Sequence, residues 1–533
     1  MDAGRARGGQ QQGDVPGLAH FLSVVEWAQV RESIAARTAA HAGSHRAREL
    51  EPSTDPAVVR ARQERTAAAR GALDADAAPA LEGISDVGAI FGRAGRLGRG
   101  LTARELRAIA VTVEGGAAAR EALAGWPALL ALVAAGRENE AADLELAREV
   151  IAKVDEHGRV LDDASEGLAR VRADLEVARH ELVHALGQLA LDPALLPALA
   201  EFKPAVHDGH PCLRVKAKEV RRVDGPIRAE APDGTLFVEP DRARAQYNRI
   251  RHLELDERVE VQRVVAALAG RVERRRDDLC ALADGLIELD VHVALARWAR
   301  DLGMVAPELA EGGPGEGLVL RRARHPLLAH DAACVPLDLA LDADRRAVVI
   351  SGPNGGGKTV AMKTVGLLAA LAQAGAWVPA DAGTRLPIFP RLLAVADARS
   401  SVSAGLSHFQ AHAHELAACA EAVVPGALVL LDEIGHGTDP GEAAALAQAF
   451  VEHLLARPGV LVLATTHLGP LKAFAERTPG LANASVALGE DGAPTFRLEV
   501  GRAGRSYALE VARACGLPDA VCARAEALHA GEA

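Results

Sequence analysis

The amino-acid sequence predicts a multidomain α + α/β protein, in which a helical region with an antiparallel coiled coil and a small β module precedes an α/β domain. Three observations support this prediction. Two stretches carry apolar residues at the three-and-four spacing of coiled coils. From about residue 315 to 500, apolar runs alternate with helical segments, which favours a parallel sheet. Finally, Gly352–Thr359 fits the phosphate-binding pattern G-x-x-x-x-G-K-[ST].

The N-terminal part of the chain is predicted to be helical after a short tail. Residues 1–17 form a Gly-, Gln- and Arg-rich tail without an apolar core, which indicates disorder rather than a signal peptide. Residues 18–194 place Ala, Leu and Arg at amphipathic spacing and end in a first coiled-coil arm. The apolar seam of that arm consists of Leu168, Val171, Leu175, Ala178, Leu182 and Leu186.

A second coiled-coil arm, with return helices, is predicted at 246–312. Because about 60 residues separate the two arms, they can pair antiparallel with the intervening segment at the tip. The apolar positions of the second stretch are Ile250, Leu253, Val261, Val264, Leu268 and Val272, followed by Leu279, Leu282, Leu286 and Leu289.

The tip segment, 195–245, alternates apolar and polar residues between Gly, Pro and Asp turns, as β-strands do. Between Lys203 and Arg228 it has seven basic and three acidic residues, in a chain of formal net charge −12. Basic side chains of this kind contact nucleic-acid phosphates, which supply affinity without sequence readout. The predicted contacts are Lys203, Arg214, Lys216, Lys218, Arg221, Arg222 and Arg228. The alternative is a strand face that is only solvated.

The α/β domain is predicted at 313–505, and its phosphate-binding loop lies between an apolar strand, Arg346–Ile350, and an apolar helix, Thr359–Ala374. Glycines let successive backbone N–H groups point at phosphates, and the helix adds its positive N-terminal end. Lys358 is expected to reach the β- and γ-phosphates, and Thr359 to hold Mg²⁺. The predicted ATP-binding residues are Gly352, Pro353, Asn354, Gly355, Gly356, Gly357, Lys358, Thr359 and Val360.

Two further strands of this domain end in polar residues. The apolar run that begins at Ala427 ends in Asp432 and Glu433, which predicts a metal-shell carboxylate followed by a base that polarises the attacking water. The next strand, Gly459–Ala464, leads to His467, the predicted sensor of the γ-phosphate. The candidate catalytic residues are Lys358, Glu433, His467 and Ser407, and the candidate metal-shell residues are Thr359 and Asp432.

The order of the motifs is that of ABC-type ATPases: phosphate loop, serine loop 403–409, Asp-Glu strand, polar turn and strand-end histidine. In that layout Ser407 of one subunit would complete the nucleotide site of the other. One set of motifs in one chain therefore predicts a homodimer with two composite sites. Residues 506–533 are predicted to be a C-terminal helical dimerisation segment.

Composition limits the function classes. The net negative charge argues against wholesale wrapping of nucleic acid, so any DNA contact must come from a local basic patch. The six cysteines form no C-x-x-C pair, which favours reduced thiols in a cytoplasmic protein. No run of about 18 apolar residues is present, so no membrane partner is expected.

The amino-acid sequences of the motifs are similar to those of a known family. The chain resembles the MutS family of mismatch-repair ATPases over nearly its whole length, and most closely the recombination-suppressing MutS-two branch. The motifs that carry the resemblance are Gly352–Thr359, Thr235–Pro240, Arg324–Leu327, Leu430–Pro440 and Ala464–His467. The resemblance implies a helical lever, a β clamp at the coiled-coil tip and an ABC-type P-loop ATPase domain. It also implies a homodimer that uses ATP and Mg²⁺, binds double-stranded or branched DNA, and acts in DNA repair and recombination control.

Three departures from that family modify the expectations. The chain begins at the lever, so a mismatch-reading domain is not expected. It ends at Ala533 without an L-D-L-R-G or H-G-x-G motif, so neither an Smr nuclease domain nor endonuclease activity is expected. Ala398–Ser401 stands where the family tends to have Asp-Glu-Gln-Ser, and His408 replaces a Thr beside Ser407, so hydrolysis could be slow or ATP could act mainly as a dimer clasp.

Three other functions compete with a DNA-clamping ATPase. A structural DNA tether of the SMC type would have its coiled coil between the phosphate loop and the Asp-Glu strand, whereas both stretches here precede the loop. The nucleotide-binding subunit of a transporter would carry a Leu-Ser-Gly-Gly-Gln signature, which does not occur. Ribosome binding remains the serious alternative, because the same basic tip could contact ribosomal RNA and act on stalled ribosomes.

Overall fold

The computed structural model describes residues 17–134, 139–310, 317–352, 356–396, 408–435, 439–488, 494–502, 513 and 516–529. It divides into two compact units, each assembled from separate stretches of the chain. The first consists of Met1–Glu82, Ala119–Val133 and Gly285–Ala533, and the second of Gly83–Ala118 and Ala134–Asp284. None of the helices within the described ranges is both long enough and apolar enough to cross a membrane.

The α-helices, in chain order, are α1 (Leu18–Val24), α2 (Trp27–Ala35), α3 (His41–Arg48), α4 (Pro56–Asp74), α5 (Val87–Arg96), α6 (Ala103–Ala122), α7 (Pro127–Leu130), α8 (Glu140–Lys153), α9 (Glu166–Leu191), α10 (Asp241–Glu273), α11 (Arg276–Asp301), α12 (Lys358–Ala374), α13 (His408–Ala422), α14 (Pro440–Leu455), α15 (Gly469–Arg477) and α16 (Asp519–His529). The strands are β1 (Leu199–His207), β2 (His210–Lys216), β3 (Ile227–Glu230), β4 (Thr235–Val238), β5 (Glu308–Ala310), β6 (Leu318–Ala323), β7 (Leu337–Leu341), β8 (Arg345–Ser351), β9 (Arg385–Pro387), β10 (Leu392–Val395), β11 (Leu428–Leu431), β12 (Leu461–Thr465), β13 (Gly480–Leu488) and β14 (Pro494–Val500).

A six-stranded sheet of order β10-β11-β12-β8-β13-β14 forms the centre of the first unit. Its strands pair in parallel except for β13 with β14, which are antiparallel. The central strands are continuous apolar runs, because helices cover both faces of the sheet and every side chain is therefore buried. In β11, for example, all four residues from Leu428 to Leu431 are buried.

Alternate residues of these strands contribute to two different hydrophobic cores. On one face Ile350, Leu430 and Leu463 pack with α12, which is buried along most of its length. On the other face Val349 and Val429 pack with side chains of α13, α14 and α15. The period of two along each strand therefore fixes which residues support which helix layer.

The N-terminal helices belong to the same core as the central sheet. Phe21, Val25 and Trp27 of the α1–α2 segment are almost fully buried in it. Gly366 of α12 allows this approach, because a Cβ there would lie 2.9 Å from Val25 and 2.6 Å from Leu430. Residues 18–82, predicted as part of a helical lever, thus contribute helices to the unit that contains the phosphate-binding loop.

A smaller sheet of order β5-β9-β6-β7 also belongs to the first unit. Its β6 and β7 pair antiparallel, and Leu318, Leu320 and Leu339 from these two strands enter the core beside α12. The loop between β6 and β7 carries the residues from His325 to Val335 that line the main cavity described below.

The second unit has a helical core and a pair of long helices. Side chains of α5, α6, α8 and α10 form the core, together with Leu279 of α11. The long helices α9 and α10 run antiparallel, as the ion pairs Arg172–Glu257 and Arg249–Glu181 show. Leu175, Ala178 and Ile250 pack between them. Helix α10 ends at Glu273, and Leu279 and Leu282 lie on the next helix, α11.

The segment between α9 and α10 folds into an antiparallel sheet of order β1-β2-β4-β3. Leu199, Leu213, Val215 and Val238 form its small core, with side chains from the end of α9. A short 3₁₀ helix, Ala217–Arg222, follows β2. This sheet lies within the predicted tip segment 195–245.

Candidate functional site

Three parallel strands of the central sheet end in polar residues at one edge. Strand β8 leads into the phosphate-binding loop, β11 into Asp432, and β12 into Thr466. Because β11, β12 and β8 are adjacent and parallel, their carboxyl ends meet at that edge. Ligands of open parallel sheets bind outside the carboxyl ends of the strands. The sequence motifs therefore converge at the expected position in the fold.

The backbone of the loop has glycines where other residues would be strained. Gly352 and Gly357 have φ values of 145° and 95°. Gly357 is the N-cap of α12 and supplies no capping side chain, and the N-terminus of a helix attracts anions. Pro353, Asn354 and Gly355 lie outside the described residues.

Lys358 extends back along the loop, and its Nζ donates to the Gly352 carbonyl oxygen at 3.0 Å. Only 4% of the residue is exposed. Burial lowers the pKa of Lys358, while the Glu433 and Asp432 carboxylates raise it and only partly compensate. The ammonium group is thus held in a place with little water, where an anionic ligand would be attracted strongly.

The hydroxyl of Thr359 and the carboxylate of Asp432 are joined directly. Thr359 Oγ1 donates to Asp432 Oδ1 at 3.0 Å, although the two residues are 73 positions apart in sequence. Oxygen donors of this kind are those that Mg²⁺ prefers. Thr359 and Asp432 therefore fit the first protein contacts of a magnesium ion.

Thr465, at the end of β12, contacts the Asp432 carboxylate and the Glu433 backbone. Its hydroxyl donates to Asp432 Oδ1 at 2.6 Å and accepts from the backbone N–H of Glu433 at 2.8 Å. Thr465 is fully buried. This threonine lies within the motif Ala464–His467, of which only the histidine has a role predicted from the sequence.

Glu433 has a strained backbone, with φ of 49° in the left-handed region. A non-glycine residue in that conformation costs on the order of 1–3 kcal/mol and persists only where surrounding contacts hold it. Here the bond from its N–H to Thr465 provides such a contact, and the side chain lines the adjacent cavity together with Lys358. The conformation turns Glu433 away from the direction that the strand would have given it.

The other predicted catalytic residues differ in what the structure describes of them. His467 is exposed and follows β12 at the same sheet edge. Ser407 lies outside the described residues, as do residues 398–401 of the serine loop. The roles assigned to both from the sequence therefore stay predictions.

A cavity of about 440 Å³ adjoins the loop, and one of its walls was not anticipated from the sequence. Lys358, Thr359 and Glu433 line one end, and the β6–β7 loop lines the other. Phe496 of β14 also lines it, with 55% of its surface exposed and a φ of 55°. A Cβ on Gly357 would lie 3.1 Å from the Phe496 ring, so the ring stands directly beside the loop. Such a cavity has the size and the mixed lining of a small-molecule site.

His325 lines the same cavity from the β6–β7 side. It is 8% exposed, and its Nδ1 has no hydrogen-bond partner among the described residues. Burial lowers the pKa of His325; the nearby Glu26 carboxylate raises it, and the Lys363 ammonium lowers it. The imidazole is therefore neutral at pH 7, and a buried polar atom of this kind is costly unless a ligand satisfies it.

A second cation lies close to the loop. Burial lowers the pKa of Lys472, and the charge of Lys358 lowers it further. Lys472 is on α15, and its carbonyl oxygen accepts from Asn483 Nδ2 at 2.8 Å. Positive charge at this edge of the sheet is therefore not confined to the predicted Lys358.

The basic residues predicted to contact nucleic acid fall into two groups. In the first group carboxylates already hold the guanidinium: Arg214 pairs with Glu201 and Asp233, Arg222 with Glu219, and Arg228 with Glu239. In the second group are Lys203, Lys218 and Arg221, which are exposed and make no ion pair with the residues that the structure describes. Lys216 belongs to neither group, because it forms no ion pair among the described residues but its Nζ donates to the Pro197 carbonyl oxygen at 3.0 Å.

The local positive charge on which that prediction relied does not extend over the whole sheet. From Leu199 to Glu239 there are seven basic and seven acidic residues, so the sheet as folded is neutral by formal charge. The acidic residues beyond Arg228 include Asp233 and Glu239, which are the partners of Arg214 and Arg228. The basic segment Lys203–Arg228 ends before Asp233 and Glu239 in sequence, but in the folded sheet these carboxylates lie beside Arg214 and Arg228.

The amino-acid sequence of the chain matches one family of known proteins. A family model described as MutS domain V matches residues 348–531, which contain the loop and both carboxylates. A protein of Thermomicrobium roseum named Endonuclease MutS2 is 38% identical over 525 residues, which are 95% of this chain and 65% of that protein. The chain belongs to the MutS family.

Within the MutS family, the relatives place the chain in the MutS2 branch. Proteins of the same printed name from Gemmatimonas aurantiaca and Pelotomaculum thermopropionicum are each 35% identical, over 95% and 96% of this chain. The chain spans 62% and 64% of their lengths. Its mixed helical and sheet architecture agrees with a MutS-type multidomain fold.

Two residues of this MutS-family site, Thr465 and Phe496, were not predicted to belong to it, although each has a feature in the sequence that points to a role. Thr465 directly follows the buried run of β12, where a hydroxyl must find a buried partner. For Phe496 the signal was weaker: a single aromatic residue in a strand, Pro494–Val500, that alternates apolar and polar residues. Nothing in the sequence near Phe496 indicates that its ring would lie 3.1 Å from a Cβ on Gly357.

Proposed function

We propose that this MutS2-type segment binds and hydrolyses ATP at the carboxyl edge of the central sheet and couples that cycle to DNA. The observation that carries the proposal is the hydrogen-bonded series Thr359–Asp432–Thr465–Glu433 beside the buried Lys358. With Lys358, this series brings a cation, two carboxylates and two hydroxyls to the carboxyl ends of three parallel strands. Phosphoryl transfer needs such positioning and charge stabilisation more than covalent chemistry.

Each residue has a defined part in the proposal. The uncapped start of α12 and the Lys358 ammonium would bind the phosphate oxygens. Thr359 and Asp432 would hold Mg²⁺, which when bound neutralises phosphate charge and polarises the γ-phosphate. Glu433 would orient the attacking water and accept its proton. Thr465 would hold the Asp432 carboxylate and the Glu433 backbone in place.

The lining of the cavity beside the loop fits a nucleobase. Phe496 offers an exposed ring face at the loop, and the unpartnered Nδ1 of His325 offers a hydrogen-bond acceptor or donor deeper in the cavity. Stacking on an aromatic ring contributes about 1–3 kcal/mol per base.

Phe496→Ala is therefore expected to weaken ATP binding by about tenfold or more, since 1.4 kcal/mol corresponds to tenfold in affinity. Titration of a fluorescent ATP analogue, with competition by ATP, measures this change. Phe496→Trp should keep most of the affinity. Competition by inorganic tripolyphosphate should be equal in all three proteins, because it has no base; a parallel loss would instead indicate a disturbed loop.

We further propose that the segment acts as a homodimer. Helix α16 and the residue before its N-cap expose apolar side chains, with Leu517 42%, Val521 50% and Leu528 57% exposed. Apolar side chains on one short helix are typical of a surface that another subunit covers. The predicted dimerisation segment 506–533 contains this helix, and Ser407 would complete the partner's site.

DNA is the proposed partner of the sheet at the end of the α9–α10 pair. The exposed, unpaired cations Lys203, Lys218 and Arg221 support this proposal, whereas Arg214 and Arg228 are held by carboxylates within the sheet. The proposed nucleic-acid contacts are therefore narrower than those taken from the sequence. In this proposal the helical lever is the helical part of residues 18–194, which ends in α9, and the β clamp is the four-stranded sheet.

Replacing Lys218 and Arg221 together with Ala should weaken binding to a four-way DNA junction and reduce the log–log salt slope by about 1.8, at about 0.9 per phosphate contact. The matched control is Arg242→Ala with Arg244→Ala, which removes the same charge from exposed side chains that pair with Asp192 and Asp241. Fluorescence anisotropy at several salt concentrations measures both variants. Equal slopes in the two variants would eliminate the sheet as the DNA contact.

Ribosomes are the alternative partner, and one comparison separates the two. The ATPase rate of the protein should rise with branched DNA more than with ribosomes at matched nucleotide concentration. The reverse order would favour the ribosomal function. The expectation that the chain does not cut DNA stays a prediction, checked by plasmid nicking in the presence of Mg²⁺ or Mn²⁺.

A further inference from the structure

Cys334 lies in the wall of the proposed nucleotide cavity. It follows β6 in a turn that Asp331 closes, with the Cys334 N–H donating to the Asp331 carbonyl oxygen at 3.0 Å. The residue is half-buried and lines the same cavity as Lys358 and Phe496. Cys334 has no part in the proposed hydrolysis of ATP.

The other described cysteines are poorly placed to react. Burial raises the pKa of Cys212 to about 11 and that of Cys419 to about 12, and it also raises the pKa of Cys280. Cys522 is fully buried. Because the thiolate is the nucleophile, the raised pKa values make Cys212, Cys419 and Cys280 poorly reactive at neutral pH. Among the described cysteines, Cys334 is the one that lines an open cavity.

The cavity around Cys334 is built to receive a polar ligand. His325 also lines it, and the buried Nδ1 of this residue has no hydrogen-bond partner among the residues that the structure describes. The Lys358 ammonium at its other end attracts anionic groups, although Asp331 and Glu433 also line it. A small molecule with carboxylates and amide groups could therefore satisfy His325 and Lys358 while it lies beside the thiol.

We propose that Cys334 is a thiolation site at which a small peptide disulfide carrying carboxylates switches off nucleotide binding. In the reaction the Cys334 thiolate attacks one sulfur of the disulfide, a new S–S bond forms, and the other half leaves as a thiolate that takes up a proton. No further oxidant is needed, and excess free thiol reverses the step. The inference rests on the proposed function, because the attached group would occupy the cavity assigned to ATP.

Cys334 and the Lys358 end of the loop line the same cavity of about 440 Å³, so a tripeptide-sized group on Cys334 would compete with a nucleotide for that space. Thiolation and nucleotide binding are therefore mutually exclusive. Bound nucleotide should protect Cys334, and the mixed disulfide should weaken nucleotide binding. Such a device would link ATP-dependent activity to the thiol–disulfide balance around the protein.

The test treats the full chain with oxidised glutathione, with and without ATP and Mg²⁺. Free thiols are then alkylated, and the tryptic peptide His325–Arg345 is quantified by mass spectrometry. We expect the glutathione adduct on this peptide, its suppression by ATP, and nucleotide affinity reduced at least about tenfold in the modified protein. Dithiothreitol should restore that affinity.

Two variants attribute the effect to one thiol. Cys334→Ser, compared with its own untreated affinity, should lose the sensitivity to oxidised glutathione. Cys280→Ser, which removes another half-buried thiol, should keep it. Sensitivity that persists in Cys334→Ser would overturn the proposal, as would unchanged nucleotide affinity when Cys334 is fully modified. If the untreated protein binds no nucleotide, the proposed function itself fails, and this inference with it.

Discussion

Lys358→Ala is expected to abolish measurable ATP hydrolysis and to weaken ATP binding strongly. Its Nζ is held at the Gly352 carbonyl oxygen with only 4% of the residue exposed, so no water can take over the lost charge without rearrangement. Removing one preorganised donor to a developing negative charge typically lowers kcat by about 10²–10³-fold. Steady-state phosphate release and nucleotide titration measure the two effects separately.

Lys363→Ala is the matched control for that variant. Lys363 lies on the same helix, five residues further on, and its Nζ pairs with Glu26 at 2.6 Å instead of facing the loop. It should retain most of its turnover. Ordinary turnover in Lys358→Ala would place the hydrolytic site elsewhere in the chain.

Glu433→Gln should bind ATP with near-normal affinity but hydrolyse it about 10²–10⁴-fold more slowly, the usual contribution of a general base. The amide keeps the shape of the side chain, and the bond from the residue 433 N–H to Thr465 is unaffected because it uses the backbone. The variant should therefore accumulate in the ATP-bound state. Single-turnover kinetics separate this loss of chemistry from a loss of binding.

The same variant tests the composite site. If Ser407 of a partner completes each site, ATP-bound Glu433→Gln should persist as a dimer in light scattering. Glu442→Gln changes an exposed carboxylate on the helix that follows, and it should behave like the unmodified protein. A Glu433→Gln protein that remains monomeric in ATP would refute the two-subunit site.

Features that depend on neighbouring residues could be predicted from the sequence. The apolar runs of β8, β11 and β12 and the polar residues after them identify a parallel sheet and its functional edge, because burial on both faces requires such runs. The position of Lys358 follows from the glycine pattern alone. These signals are local, since each lies within one strand–loop–helix unit.

Features that depend on distant segments could not be predicted in this way. Phe496 reaches Gly357 from a hairpin more than a hundred residues away, with a backbone conformation that no propensity indicates. The pairing of Arg228 with Glu239 depends on which strands become neighbours. A count of charges along the chain registers Arg228 as free positive charge, whereas the fold neutralises it.

The discontinuous first unit has a consequence for how the protein is made. Phe21, Val25 and Trp27 are buried against elements that lie beyond Gly285, yet they leave the ribosome first. With roughly 200 residues between Glu82 and Gly285, synthesis at about 5–20 residues per second leaves these side chains waiting for roughly 10–40 s. During that interval the N-terminal helices expose an apolar face that only later translation can cover. The second unit, complete by Asp284, has all its strands and helices available before the first unit can close.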